Sequence, residues 1–249
     1  MIQTARSMRN RARKAINVFQ TGDHYRLAIA KFGETEVAYR EGTSDDAVLS
    51  DSFENDIFLS RARDYVPESD HVILDVGAHI GTFDLLLAPQ VKKVFAIEAS
   101  RESFDMLRIN KALNRFDNVT ISHLAMAGKN GTVHLHHDVG GNWGHSITKA
   151  LSKFGEEVRA QTLPSYFEEH GIDRVDFAKF NCEGAEFEIL QSTPIDVLQR
   201  IKFMVLHYHL DLVEGRTLTD LLNKLHAAGF KTRKMHDSEI GGCLIAQQS

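Results

Sequence analysis

What most constrains the fold is an alternation that begins at His71 and runs toward the C-terminus. Short apolar runs predict strands at Val72 to Val76, Lys93 to Ile97, Val119 to His123, Val175 to Phe180 and Phe203 to Tyr208. Segments of helical spacing fall between and after them, at Thr82 to Ala88, Arg101 to Asn114, Leu163 to His170, Ala185 to Leu190 and Leu218 to Ala228. Strands separated by helices need crossover connections, and crossovers place helices over both faces of a mostly parallel sheet. The expected fold class is therefore α/β, with a doubly wound sheet. Two last runs, Phe230 to Lys234 and Gly242 to Ala246, flank a short polar turn and predict an antiparallel C-terminal hairpin at one sheet edge.

Ahead of this alternation, residues 1–65 read as an extension packed on a core domain of residues 66–249. Tyr25 to Ala30 and Glu34 to Tyr39 alternate apolar and polar residues around Phe32-Gly33, which predicts a hairpin. Ser52 to Tyr65 predicts an amphipathic helix through Phe53, Ile57, Phe58 and Ala62. Arg6, Arg9, Arg11, Arg13 and Lys14 precede any acidic residue and suggest a basic helix that caps the fold or meets a partner. A long segment, Leu124 to Asp173, interrupts the alternation and holds a further strand at Thr132 to His136 and a Gly-rich stretch, His137 to Ser146.

Charge and cysteine content narrow the function classes. The 249 residues carry 29 Lys plus Arg against 34 Asp plus Glu, a formal charge of -5, so no global attraction draws the chain to nucleic acid or to an anionic membrane. Two cysteines, Cys182 and Cys243, are too few for a disulfide framework. No apolar run has the length of a membrane span, and the expectation is a cytoplasmic protein without a transmembrane segment.

"DVGAHIG", Asp75 to Gly81, joins the first strand of the alternation to its first helix. In an open parallel sheet this turn lies at the carboxyl edge, where ligands bind. Gly77 lets the main chain approach a ligand and Gly81 lets the helix start close to the strand. The spacing Gly77-x-x-x-Gly81, with Ala78 and His79 between, lacks the third glycine of a dinucleotide fingerprint. Asp75 suits a ligand bearing a cation, and Glu98, at the end of the second strand, can accept hydrogen bonds from both hydroxyls of a ribose. These features together match S-adenosylmethionine better than NAD.

"VILDVGAHIGTF", "VFAIEAS" and above all "VDFAKFNCEGAEFEIL" resemble the FkbM-type methyltransferases, a Rossmann-like class I family that uses S-adenosylmethionine. The resemblance spans roughly His71 to Leu210. It implies a cofactor site made of Asp75, Val76, Gly77, Ala78, His79, Gly81 and Thr82, of Glu98, Ala99 and Ser100, of Ala125 and Met126 beside the adenine, and of Asn181. Asn181 stands where the family usually has Asp, which removes a carboxylate near the cofactor's cationic end.

Four residues are candidates for the chemistry: Asn181, Glu183, His207 and His209. Alternation puts His207 and His209 on one face of their strand, at the sheet edge, and a histidine near neutral pH is a natural general base for a hydroxyl acceptor. Glu183 and Glu186 alternatively cap the following helix. Lys179, inside an apolar strand, needs an ionic partner, expected to be Glu183 or Glu186. Cys182 reads as a buried thiol. No compact metal-ligand motif is present, so no metal is expected. Gly140, Gly141, Trp143 and Gly144 suggest a lid over the acceptor. The expected reaction is methyl transfer to a small molecule or glycan, most readily at oxygen. A dinucleotide-dependent oxidoreductase and a non-catalytic nucleoside-binding or scaffold protein are the alternatives.

Overall fold

The structure is a computed structural model and describes residues 14–15, 25–138 and 144–248. In chain order, β1 (Lys14–Ala15), β2 (Arg26–Phe32) and β3 (Thr35–Glu41) precede α1 (Asp45–Phe53). Then come β4 (Val72–Val76), α2 (Thr82–Leu87), β5 (Lys93–Glu98), α3 (Arg101–Asn114) and β6 (Val119–His123). The long insertion holds β7 (Ala125–Met126), β8 (Gly131–His136) and β9 (Gly155–Gln161), and α4 (Leu163–His170) leads back to the sheet. The chain closes with β10 (Phe177–Phe180), α5 (Ala185–Ser192), α6 (Ile195–Leu198), β11 (Phe203–His209), α7 (Leu218–Ala227), β12 (Phe230–Asp237) and β13 (Gly241–Gln248).

The main sheet has seven strands in the order β12-β13-β11-β10-β4-β5-β6. Every pairing from β11 through β6 is parallel, and β13 runs antiparallel to both of its neighbours. This is the doubly wound Rossmann-like architecture with a C-terminal hairpin at one edge. The strand order reverses between β4 and β10, so the turns after these two strands open side by side at the carboxyl edge, the usual place for a ligand. The smaller sheets, β1-β2-β3 and β7-β9-β8, flank it.

Alternation along the strands divides the core into two layers. Leu74, Val76, Ala178, Phe180, Leu206 and Tyr208 face one set of helices, whereas Ile73, Phe177, Phe203 and Val205 face the other. The N-terminal hairpin and α1 bury Ala28, Val37, Tyr39 and Leu49 against Ile80, Leu85 and Met106. Arg40, fully buried, secures this seam: it pairs with Asp45 at 2.8 Å, with Glu102 at 3.0 Å and with the Ser103 hydroxyl at 3.2 Å.

Two N-terminal expectations are corrected. The helix expected over Ser52 to Tyr65 lies earlier, at Asp45–Phe53, and Asp56 with φ of 45° stops it, leaving Ile57, Phe58 and Ala62 to pack from a chain of turns. The spacing of Phe53, Ile57, Phe58 and Ala62 marks burial rather than a helix. Most of the basic N-terminal run, with Gly140, Gly141 and Trp143 of the suggested lid, lies outside the described residues. Lys14 and Ala15 pair as a strand with Ile29 and Ala28 rather than extending a helix.

Gly77 and Gly33 separate two costs of glycine replacement. Both have left-handed backbone, φ of 83° and 61°, but a Cβ at Gly77 would run into the carbonyl of Asn181 while one at Gly33 meets open space. Gly33→Ala is expected to cost about 1–2 kcal/mol of unfolding free energy, the left-handed backbone cost alone. Gly77→Ala should cost about 3 kcal/mol or more, because backbone must also move. Urea midpoints measure both, and equal losses would contradict the close approach.

Candidate active site

The glycine turn is held from two sides. The amides of Gly77 and Ala78 both donate to the carbonyl of Ile97, at 3.0 and 2.9 Å, which folds the turn over the end of β5. Glu98, the last residue of β5, accepts from the His79 amide at 2.7 Å and the Ser100 amide at 2.8 Å. His79 is left-handed, with φ of 54°, as are Gly77 and Gly81 on either side. The close approach read from Gly77 is toward the chain's own Asn181 turn. Asn181 in turn donates its amide to Val76 at 3.0 Å.

Beneath the turn lies a buried charge cluster. The β4–β10 register sets Lys179 beside Asp75, and their side chains pair at 2.6 Å. Lys179 also donates to the carbonyl of Gly77 at 2.8 Å and lies 5.0 Å from the centre of the Phe58 ring. This corrects the expectation that Glu183 or Glu186 neutralises Lys179. Those residues follow the strand, whereas Asp75 is its in-register neighbour. Burial raises the Asp75 carboxyl and Lys179 pulls it part of the way back. Asp84, on α2, is pushed well above the usual carboxylate range, by burial first and then by the charge of Asp75. Two buried acids thus share one ammonium, and burial together with the charge of Asp75 opposes ionisation of the second, Asp84.

Above this cluster opens a cavity of about 380 Å³. Val76, Gly77, Ala78, His79 and Thr82 line it from the glycine turn, and Glu98, Ala99, Ala125, Met126 and Asn181 from the neighbouring strand ends. Three of the expected cofactor residues have supporting places instead: Asp75 lies below the cavity, Gly81 starts α2, and Ser100 caps α3 by accepting from the Ser103 amide. Val48, Asp51 and Ser52 of α1 complete one wall, and the Ser52 hydroxyl bonds that of Thr82 at 2.7 Å. Leu124, Ala125, Met126, Leu135 and Ile147 give the cavity an apolar slot, tied to the end of β5 by the Leu124 amide, which donates to the Glu98 carbonyl at 3.2 Å, and by Ala99, which packs on the cluster of Ala125 and Leu135. A carboxylate, an apolar slot and further polar groups lining one cavity are a donor set that fits ribose, adenine and an amino-acid tail.

A second, more open cavity of about 540 Å³ adjoins the first and shares Glu183, His207, His209 and Gly144 with it. His207 accepts at Nε2 from Arg61 Nη1, 2.7 Å away, because a guanidinium can only donate, so the ring's own proton is on Nδ1. Burial, helped by Arg61, pushes its pKa down to about 3. His209 differs. Burial alone would lower it, but the Glu186 hydrogen bond at 3.3 Å, with the charges of Glu186 and of Glu183 at 3.6 Å, raises it to about 9.

The two glutamates also divide. Glu186 caps the turn into α5, accepting from the amides of Cys182 at 2.6 Å and Gly184 at 2.9 Å. Glu183 points into the cavities from a left-handed backbone, φ of 53°, that Ser146 and Thr148 hold by donating to its carbonyl at 2.6 and 3.3 Å. Burial raises Glu183 to about 7, against the pull of His209. The Cys182 thiol is pushed well up by burial and by Glu186, as befits an inert thiol. Among the described residues, the one group with metal-ligand spacing is Glu68, Asp70 and His71, away from both cavities. Arg61, Asp84 and the α1 wall were not singled out in the sequence. Asp84 alone had a signal, an acid inside an apolar helix, Thr82-Phe-Asp-Leu-Leu-Leu.

His209 gives a pH-dependent stability. Its folded pKa lies above the ordinary value of 6.5, so its contribution is fully present below 6.5 and is lost as pH rises through about 9. His209→Asn should lower the melting temperature by about 3–6 °C at pH 6. The gap should close above pH about 9, where the wild-type imidazole is itself neutral. A gap independent of pH in thermal scans would contradict the ion pair.

Comparison with known proteins bears on this geometry. Residues 75–232 match the methyltransferase FkbM domain, more than half of the chain. The fold is similar to a methyltransferase FkbM of Methylobacillus flagellatus KT, with a TM-score of 0.51 and 15% identity over 75% of this chain and 46% of that one. A precorrin-6y C5,15-methyltransferase of Geobacter metallireducens GS-15 superposes with a TM-score of 0.43 and 16% identity, over 73% of this chain and 82% of that one. An uncharacterized RNA methyltransferase of Nanoarchaeum equitans is 37% identical over 51 residues, 20% of this chain and 11% of that protein, so the chain spans only a small part of that relative. On the extent of the domain match, this chain belongs to the FkbM methyltransferase family.

Proposed function

We propose that the chain transfers the methyl group of S-adenosylmethionine to a hydroxyl of a small molecule or glycan. One observation carries the reading: the cavity suited to the cofactor and the more open cavity beside it meet at Glu183, His207 and His209. A donor held on one side and an acceptor on the other would react across that junction.

S-adenosylmethionine, when bound, supplies an electrophilic methyl group. The protein's work is alignment, exclusion of water and removal of one proton. Glu98 would accept from the ribose hydroxyls with the lone pairs that His79 and Ser100 leave free. Asn181 supplies a neutral amide where a carboxylate is usual, so its carbonyl can accept from the cofactor's amino group but takes no proton. Of the three groups at the junction, Glu183 is best matched to act as general base. A carboxylate with a pKa of about 7 is ionised for much of the time at neutral pH and still basic enough to accept a proton. His207 has its Nε2 lone pair engaged by Arg61, and His209 already carries its proton. His209 then holds the ionised carboxylate of Glu183 in place.

RNA, the substrate class in the name of the Nanoarchaeum relative, is the lesser reading. Asp138, Glu183 and Asp211 line the second cavity, and the chain's acidic residues outnumber its lysines and arginines, 34 to 29. A panel of hydroxylated metabolites and sugars, assayed for transfer of a labelled methyl group, identifies an acceptor. With that acceptor, the single-turnover rate should rise with pH through about 7 and then level off. Glu183→Gln should lower it by roughly 100-fold to 10,000-fold and remove the pH step. A Glu183→Gln variant with the wild-type rate and profile would show that the proton leaves by another route.

A further inference from the structure

We infer that the second cavity takes an acceptor bearing an anionic group, a carboxylate or phosphate, which docks on Arg61 and so places the acceptor's hydroxyl toward Glu183. This rests on the methyltransferase reading and adds the chemical class of the substrate. The two ends of the cavity differ in charge. All five residues that carry the contrast line the cavity: Asp138 and Asp211 lie near enough to Glu183 to raise its carboxyl further, whereas Arg61 and His236 lie near enough to His207 to lower its ring. Arg61 is half-buried and engages His207, a neutral ring, at 2.7 Å. Among the described residues no carboxylate lies within ion-pair distance of its guanidinium, although Arg233, which donates to the Arg61 carbonyl at 3.2 Å, reaches Asp64 at 3.8 Å.

A guanidinium is a fixed, planar cation that favours two-point binding to a carboxylate or phosphate. Partly removed from water, and with no carboxylate of the described residues within ion-pair distance, Arg61 gains most from a ligand that supplies one. The acid end makes the complementary demand. A second anionic group beside Glu183 would be repelled, so the acceptor presents a neutral hydroxyl there. The expected substrate is a hydroxy acid or the phosphate ester of a polyol, docked with its anion toward Arg61. Lining by Leu212, Ile240 and Cys243 gives its carbon frame an apolar wall.

The test uses the whole protein saturated with S-adenosylhomocysteine. Glycolate and glycolamide, which differ in one charge, are titrated while the imidazole signals of His207 are followed by NMR. Glycolate should bind about ten-fold or more tightly than glycolamide, the size of one charge-assisted hydrogen bond. Arg61→Gln should equalise the two, Arg61→Lys should keep part of the preference, and Arg159→Gln, exposed on β9 and in the lining of neither cavity, should keep all of it. Competition by inorganic phosphate would assign phosphate esters together with carboxylates; lack of competition would assign carboxylates alone. Equal binding of glycolate and glycolamide, absence of binding by either, or a preference that survives Arg61→Gln would overturn the inference. Affinity for S-adenosylhomocysteine is measured in the same samples. Its loss in the wild type would overturn the methyltransferase reading instead, and the anion preference is then read on the unloaded protein.

Discussion

The pairing of Asp75 with Lys179 is the interaction on which the site depends. It joins adjacent strands at their carboxyl ends, and Lys179 extends it to the carbonyl of Gly77. A charged pair this deep in an apolar layer yields little net stability, since desolvation of both groups offsets most of their attraction. Its effect is to fix geometry. With Lys179 satisfied by Asp75 and Gly77, the turn after β4 and the turn after β10 have one relative placement, and Gly77 fits beneath the Asn181 carbonyl only in that placement. Loss of one partner alone would leave a buried charge uncompensated, a cost of about 3–5 kcal/mol.

From that fixed edge the two cavities acquire different electrostatics. Glu98 and the glycine turn bound the first cavity, where burial raises the carboxyl of Glu98 despite its two amide donors. At the junction, neighbours rather than burial alone set the protonation states. His207 and His209 lie two residues apart on one strand face, yet burial with Arg61 beside it holds one neutral, whereas two glutamates overcome burial and hold the other charged. Strand alternation makes these residues neighbours; the side chains brought against them from the turn after β10 and from the segment before β4 decide what each can do.

Much of the fold was legible because its signals are local. The strand-helix alternation, the glycine turn and the C-terminal hairpin each follow from periodicity and from residues with restricted or permissive backbones. Strand ends shifted slightly: Val175 forms an isolated bridge to Ile201 rather than opening β10. The expected helix over Ser52 to Tyr65 fails because the spacing of Phe53, Ile57, Phe58 and Ala62 equally suits a chain of turns against a core, and no local signal gives Asp56 its left-handed backbone. Ionic partners were the least legible part. The partner of Lys179 is 104 residues away and is chosen by sheet register, and the Arg61–His207 contact spans 146 residues. Neither pairing has a sequence spacing from which it could be read, so the protonation of the histidines could not be read either.

Calorimetric titration of the purified protein with S-adenosylhomocysteine and, separately, with NAD tests the central claim most directly, because the glycine turn, Glu98 and the apolar slot should discriminate between the two by shape and charge before any acceptor is known. Saturable binding of S-adenosylhomocysteine at one site per chain, with no heat from NAD, is the predicted result; binding of NAD with none of S-adenosylhomocysteine would contradict it.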